Sequence, residues 1–300
     1  EEAVNVVGMR TADAVKYIKG PKGTNVILTL KKVDGTIEDL SIPRDVIELE
    51  ETYAKSSFVE KEGKTYGVIN LPAFYADFED YNNNNSASDV KKEIERLKAQ
   101  GMEGLVLDLR NNGGGSLKAV VDMVGLFIKD GPVVQIRSSG EPQQVLKDMD
   151  RSIAWDGPLV ILVNELSASA SEILAAAVQD YKRAIVIGSK QTYGKGTVQI
   201  VFDLNRMMRV NTNGDMGALK FTTQKFYRIN GGSTQLEGVK SDVVVPDRYS
   251  YIDIGERDQE NPLAWDKIEP AKYSVWDSYF DYDSTIAKSK ERMENSDQLK

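Results

Sequence analysis

Three short, continuous apolar runs separated by helix-length segments constrain the fold more than any other feature of the sequence. The runs occupy residues 104–109, 159–163 and 184–188. Helices are predicted after the first two runs, over 117–128 and 171–180. Continuous apolar runs are typical of strands that are covered on both faces, whereas strands with one wet face alternate apolar and polar residues. The pattern therefore predicts an α/β core built from repeated βα units.

Further elements are predicted on both sides of this core. They are a helix over 11–19 capped by Thr11, a β-hairpin with strands at 26–30 and 37–42, a charged connector over 43–63, a strand at 66–71, a surface loop over 82–88 and a helix over 88–100. Beyond Gln199 the sequence is typical of strands, notably at 218–226 and 243–245. The last fifty residues are acidic, aromatic and partly helical, and we expect them to pack as an appendage.

Two absences in the composition restrict the chemistry. The 300 residues contain no His and no Cys. This excludes a Ser-His-Asp triad, a thiol nucleophile, a disulfide and any metal site that needs imidazole or thiolate ligands. Proton transfer would therefore depend on Asp, Glu, Lys or Tyr. The net charge of −8 argues against nucleic acid as a partner, and no apolar run is long enough for a membrane span.

Ser169 lies where a buried strand turns into a helix. With Glu172 three residues later, it matches a capping box, so the simplest interpretation is a helix cap. The alternative is a serine exposed above the sheet, with the amide of Ala170 directed at a developing oxyanion.

Lys195 lies between two glycines in the segment Thr192-Tyr193-Gly194-Lys195-Gly196. A phosphate-binding loop is excluded, because the glycine spacing is wrong and Gly196 replaces the Ser or Thr that would reach magnesium. Lys195 is then either a solvated turn residue or a lysine brought close to another element by its flanking glycines. Burial would lower its pKa and would allow it to deprotonate a serine.

A glycine-rich turn follows the first core strand, in Asp108-Leu109-Arg110-Asn111-Asn112-Gly113-Gly114-Gly115. It is either a flexible connection or a turn that presents backbone N–H groups to an anion. Each of these three signals is weak when it is taken alone.

Together and in this order, the segments resemble the carboxyl-terminal processing peptidase family, in particular the tail-specific proteases of Gram-negative bacteria. The matching stretches are 107–115, 167–173, 179–181 with 183–184, 193–199, 224–235 and 261–266. The resemblance extends over essentially the whole chain. It implies a crotonase/ClpP-like α/β serine-protease core, preceded by a partial PDZ domain and followed by a partly helical C-terminal appendage.

The resemblance also implies a Ser–Lys dyad, with Ser169 as nucleophile and Lys195 as general base. Gln199 matches a residue that orients the lysine. Ala170 and one of Gly113 or Gly114 match the oxyanion amides. Glu172 and Thr192 match supporting positions. No metal or cofactor is implied.

The implied domains are the second half of a PDZ-like domain at 1–45, the peptidase core at 46–250 and the appendage at 251–300. The first half of the PDZ domain, which carries the carboxylate-binding loop, is absent from these residues, so we expect weak selection of substrate tails by them alone. The implied substrates are proteins or peptides with apolar C-termini. The implied location is the periplasm or the periplasmic side of the inner membrane. The sequence identifies no adaptor protein.

Two alternatives remain open at this point. One is an inactive relative that only binds protein tails, although every motif position is filled. The other is a crotonase-like enzyme of different acyl chemistry, which would leave the Ser–Lys pair unexplained.

Overall fold

The chain separates into two compact units, residues 1–50 and 51–300. The computed structural model describes residues 3–45, 52–77, 80–82, 84–207, 214–249, 251–277 and 280–297. The predicted domain boundary after residue 45 adjoins residues 46–51, which lie outside the described residues. The C-terminal segment from residue 251 belongs to the second unit.

The first unit contains one helix and one β-hairpin. They are α1 (Thr11–Ile18), β1 (Asn25–Lys31) and β2 (Ile37–Pro43). The two strands pair antiparallel around the turn at Asp34-Gly35, as the sequence predicts. The predicted cap was wrong: Thr11 is the first helical residue, and the N-cap is Arg10, whose side chain makes no capping hydrogen bond.

A six-stranded sheet forms the centre of the second unit. Its strands are β3 (Lys55–Lys61), β4 (Lys64–Asn70), β5 (Gly104–Asp108), β8 (Leu159–Val163), β9 (Ile185–Gly188) and β12 (Val243–Val244), in the spatial order β12-β9-β8-β5-β4-β3. All neighbours pair parallel except β3, which runs antiparallel to β4 at the edge. The carboxyl ends of β5, β8 and β9 therefore lie side by side, and the turns that follow these strands meet at one edge.

A second sheet and three helices complete the core. The helices are α2 (Ser86–Ala99), α3 (Leu117–Gly125) and α4 (Ala170–Asp180). The strands of the second sheet are β6 (Gly131–Ser138), β7 (Gln144–Asp148), β10 (Thr197–Asp203) and β11 (Ala218–Tyr227). They pair antiparallel in the spatial order β10-β11-β6-β7. Helix α3 packs against α2 and α4 and contacts β6 and β7. One apolar cluster connects these helices to both sheets.

The central strands are buried more deeply on one face than on the other. Leu105, Leu107 and Ile161 are fully or almost fully buried. Val106 and Val160 point to the opposite face and are only half-buried. The expected α/β core is present, and the second face of these strands is covered less completely than the first.

Three features differ from the sequence-based expectations. Strand β3 lies within the predicted connector, of which residues 46–51 are outside the described residues. Its sequence is polar because it is an edge strand, with only Ser56 and Phe58 half-buried. The hairpin β6–β7 was not predicted. Helix α2 begins at Ser86, inside the predicted loop, because Asn85 accepts a capping hydrogen bond from the Ser88 N–H.

The C-terminal segment contacts the core at several points and ends in a helix, α5 (Tyr282–Glu294). The Trp276 N–H donates to the Tyr181 carbonyl, and the Tyr282 hydroxyl donates to Asp242. Among the described residues, no helix is both long enough and apolar enough to cross a lipid bilayer.

Candidate active site

Ser169 has a backbone conformation that serine rarely adopts. Its φ is 57° and its ψ is −111°, at the turn between β8 and α4. Such strain persists only where the surroundings hold it, and the Ser169 N–H donates to Glu172 Oε2 at 2.7 Å. This is the carboxylate half of the predicted capping box. The Ser169 side chain lies in the capping position toward the Glu172 N–H, so both halves of the predicted capping box are present, but its Oγ makes no full capping hydrogen bond. The hydroxyl is thus only weakly held at the helix end.

The structure distinguishes Ser169 from the two serines beside it. Ser167 and Ser171 are completely buried, whereas Ser169 is half-buried and lines a cleft. The Ser167 hydroxyl donates to the Leu109 carbonyl, and the Ser171 hydroxyl donates to the Asn112 carbonyl. The outer serines thus connect the turn after β8 to the turn after β5. Only the middle serine can meet a ligand.

Lys195 lines the same cleft, and its surroundings lower its basicity. Burial lowers the pKa of Lys195, and the nearby positive charge of Lys220 lowers it further, while Glu256 and Glu172 act in the opposite direction. Its Nζ donates to Gln199 Oε1 at 3.3 Å. Within the described residues, Lys195 and Ser169 share the cleft without a hydrogen bond between their side chains.

The glycines around Lys195 permit close backbone approach, as predicted. A Cβ atom on Gly194 would lie 2.9 Å from the Leu236 carbonyl carbon, and one on Gly196 would lie 2.7 Å from the Gln235 nitrogen. The Gly196 N–H also donates to Gln235 Oε1 at 2.9 Å. Any side chain at these glycines would push the lysine segment away from the neighbouring loop.

Glu172 connects the turn that carries Ser169 to the loop that carries Lys195. Its side chain is completely buried and accepts four hydrogen bonds. Oε2 accepts from the N–H groups of Ser169 and Lys195, at 2.7 and 3.0 Å. Oε1 accepts from the Thr192 hydroxyl and the Gly194 N–H, at 2.6 and 2.7 Å. Burial raises the pKa of Glu172 to about 7, and the four donors act in the opposite direction by stabilising the carboxylate. Glu172 thus holds the backbones of both loops at the position where the resemblance implies a supporting residue.

Thr192 is also buried and connects Glu172 to the backbone of Val239. Its hydroxyl donates to Glu172 and accepts from the Val239 N–H at 2.8 Å. Because that lone pair is occupied, the hydroxyl hydrogen is directed at the carboxylate.

The glycine turn after β5 is rigidly held. A Cβ on Gly115 would lie 2.2 Å from the Phe74 carbonyl oxygen, and one on Gly114 would lie 2.8 Å from Ser169 Cβ. The Gly114 N–H donates to Asn112 Oδ1 at 2.9 Å and is not available to a ligand. The N–H groups of Gly113 and Ala170 have no protein acceptor among the described residues, and both residues line the cleft. Of the two candidate glycines, the geometry therefore favours Gly113.

Asn112 is a positioning residue to which sequence reasoning assigned no role. It is completely buried, and its side-chain nitrogen donates to the Leu71 carbonyl. Its own carbonyl accepts from the Ala168 N–H at 3.0 Å. The residue thus connects the glycine turn to the serine turn. The Asn-Asn pair before the glycines was the available signal, since asparagine side chains commonly replace backbone partners in turns.

The cleft itself is small and mixed in character. Its volume is about 220 Å³. Leu117, Ile173, Val198 and Phe226 form its apolar walls, and Ser169, Lys195, Gln199 and Lys220 provide its polar groups. Among the described residues there is no cluster of three or more acidic side chains that could hold a metal ion.

A serine in a strained strand-to-helix turn, with a lysine and unpaired amides in one cleft, is the kind of site that acyl-transfer enzymes use. The chain belongs to peptidase family S41, whose model matches residues 65–245. A second family model, described as the C-terminal domain of tail specific protease, matches residues 249–300.

Individual relatives agree with this assignment. The chain is 44% identical over 270 residues to the tail-specific protease of Haemophilus influenzae, covering 90% of this chain and 37% of that protein. It is 35% identical over 269 residues to a probable CtpA-like serine protease of Staphylococcus epidermidis, covering 85% and 49%. The chain therefore spans less than half the length of these curated relatives. The solved photosystem II D1 C-terminal processing protease superposes with a TM-score of 0.53 and 27% identity, covering 79% of this chain and 60% of that one.

Proposed function

We propose that this chain carries the catalytic site of a serine endopeptidase that processes or degrades proteins selected by their C-terminal tails. The observation that carries the proposal is the shared cleft. Ser169 and Lys195 come from two separate loops, and both line the cleft while one buried carboxylate holds both backbones. The relatives named above are peptidases, which favours this function over a tail-binding protein without activity or a different acyl chemistry.

The proposed mechanism uses only side chains and amides of this chain. Unprotonated Lys195 accepts the proton of the Ser169 hydroxyl, and the Ser169 Oγ attacks the scissile carbonyl carbon. The N–H groups of Ala170 and Gly113 stabilise the resulting oxyanion. The Lys195 ammonium then protonates the leaving amine, and water hydrolyses the acyl-enzyme. Gln199 holds Lys195 between these steps. The reaction requires rotation of the lysine side chain toward Ser169, which the shared cleft permits.

A fluorophosphonate probe tests both members of the pair. We expect stoichiometric labelling at Ser169, at a rate that increases as the pH rises through the lowered pKa of Lys195, because only the unprotonated amine accepts a proton. Lys195→Arg should not be labelled, since a guanidinium does not release its proton at working pH. The measurement is labelling rate against pH, with the modified residue identified by mass spectrometry. Labelling of Lys195→Arg at the wild-type rate would contradict the general-base role.

We also propose that residues 1–45 form the later half of a PDZ-like domain that contributes to tail selection. Helix α1 followed by the hairpin β1–β2 supports this, together with exposed apolar side chains such as Ile27 and Ile37. A PDZ domain binds an extended chain end between a helix and a strand edge. The proposed substrates have apolar C-termini, and the proposed location is the periplasm or the periplasmic side of the inner membrane.

Substitutions on α1 test this assignment. Val15 and Ile18 are half-buried on one face of the helix, and Lys19 just beyond it is exposed. In the full-length protein, Val15→Lys should reduce the preference for an apolar over an acidic substrate tail by about tenfold, since it places a charge in an apolar groove. Ser169 labelling should not change. The readout is cleavage of two substrates that differ only in their last residues, with Lys19→Ala as control. An unchanged preference would locate tail selection elsewhere.

A further inference from the structure

Lys220 is a cation at the candidate active site that neither the resemblance nor the proposed mechanism uses. It lies on β11 and is exposed, and its side chain lines the same cleft as Ser169 and Lys195. Among the described residues it forms no ion pair with a carboxylate. Within this part of the chain, no bound carboxylate therefore offsets the charge of Lys220 on the groups that share the cleft.

The strand register places Lys220 on the same face of the β10–β11 hairpin as Gln199, the residue that binds Lys195. Gln199 on β10 pairs with Thr222, and Val201 pairs with Lys220. Directly paired residues of antiparallel strands share a face, and residues two apart on one strand also share a face. The side chains of Gln199 and Lys220 therefore stand on one face of the hairpin. Gln199 binds Lys195 Nζ on that face.

The charged groups around Lys195 come from several elements. Glu172 lies on α4, and Glu256 lies in a short helical turn of the C-terminal segment. Both carboxylates favour the protonated lysine, whereas Lys220 on β11 opposes it. Lys220 is the one positive charge among these three partners, so it acts against the effect of the two carboxylates.

We propose that Lys220 is a positioning residue for the general base: from its place in the same cleft, its positive charge adds to the effect of burial and disfavours the protonated form of Lys195. This inference rests on the proposed function, because it assumes that Lys195 deprotonates Ser169. Activation of a lysine by a second cation is an established physical device, since like charges disfavour each other's charged forms.

The test is the pH dependence of fluorophosphonate labelling at Ser169 in the full-length protein. In Lys220→Gln, the pH at which the labelling rate rises should be about 0.5 pH unit higher than in the wild type. At pH values where the rate is still rising in both proteins, the variant should then be labelled roughly threefold more slowly. Lys220→Glu should move it further. Lys220→Arg keeps the charge and should reproduce the wild-type curve. At high pH, where Lys195 is unprotonated in every variant, the rates should converge.

A matched control removes a lysine from the same sheet without touching the cleft. Lys147 on β7 is exposed, and Lys147→Gln should leave the pH curve unchanged. Added salt should reduce the difference between wild type and Lys220→Gln, because it screens the repulsion. Rates that differ equally at all pH values, or an Arg variant that behaves like Gln, would overturn the proposal. If the proposed function itself were wrong, the result would be different: the probe would still label the Ser169→Ala variant.

Discussion

Ser169→Ala should abolish proteolysis, with a loss of roughly 10⁴-fold or more, while the protein remains folded. Ser169 is half-buried and its side chain makes at most a weak capping contact, so we expect its removal to cost about 1 kcal/mol or less of unfolding free energy. Lys195→Ala should cause a loss of similar size, because removing one member of a catalytic pair costs nearly as much activity as removing both. The measurements are the cleavage rate of an unstructured protein substrate and the thermal unfolding midpoint of each variant.

Ser171→Ala is the matched control for this experiment. It removes a hydroxyl two residues from the nucleophile, and the Asn112 carbonyl that accepts its hydrogen bond keeps the Ala168 N–H as a second donor. We expect activity within about fivefold of wild type. If Ser169→Ala retained as much activity as Ser171→Ala, the nucleophile would have to be assigned elsewhere.

Glu172→Gln should be the most damaging substitution outside the reacting pair. The glutamine amide can replace only one of the two acceptor oxygens, and its NH₂ group would face at least one backbone N–H. We expect a loss of activity of about 100-fold and a decrease in unfolding free energy of about 2–4 kcal/mol, since buried donors would lose their acceptors. The measurements are labelling rate at Ser169 and urea denaturation.

Glu165→Gln provides a comparison in the same turn. Glu165 is also buried, but its Oε2 has no hydrogen-bond partner within the described residues. Burial raises the pKa of Glu165, so the neutral amide should be tolerated. We expect nearly wild-type labelling. Equal effects of the two substitutions would mean that Glu172 is an ordinary buried carboxylate and does not organise the site.

Much of the fold could be predicted because its signals are local. The apolar runs that became β5, β8 and β9 are long enough to be recognised without their partners, and α3 and α4 follow them as predicted. Strand β3 was missed because an edge strand has no apolar periodicity. The hairpin β6–β7 was missed although Ser139-Gly140 form a turn after β6, because β7 is a short strand with a largely polar sequence.

The residues of the candidate site also divide into those that local motifs identify and those that only the folded structure identifies. Ser169, Lys195, Glu172 and Gln199 were named from motifs, and their roles remain proposals. Gly113 and Gly114 could not be separated by sequence, because either amide could face a ligand. The Asn112 side chain, which occupies the Gly114 amide, makes the difference. Lys220 carries no motif, and its relevance emerges only from the register of β10 with β11.

The sequence by itself limited the available chemistry: without His or Cys, proton transfer to or from a nucleophile here depends on a lysine, a carboxylate or a tyrosine. It also determined the βα pattern that brings loops to one sheet edge. Only the tertiary structure decided which backbone amides remain unpaired, which serine faces the cleft and which charges surround Lys195. The exposure of the serines and the charges around Lys195 arise from contacts between distant segments, such as Ser171 with Asn112 and Glu172 with Lys195, which are 59 and 23 residues apart. Local sequence patterns carry no record of such contacts, because hydrogen bonds and charge repulsion act through space.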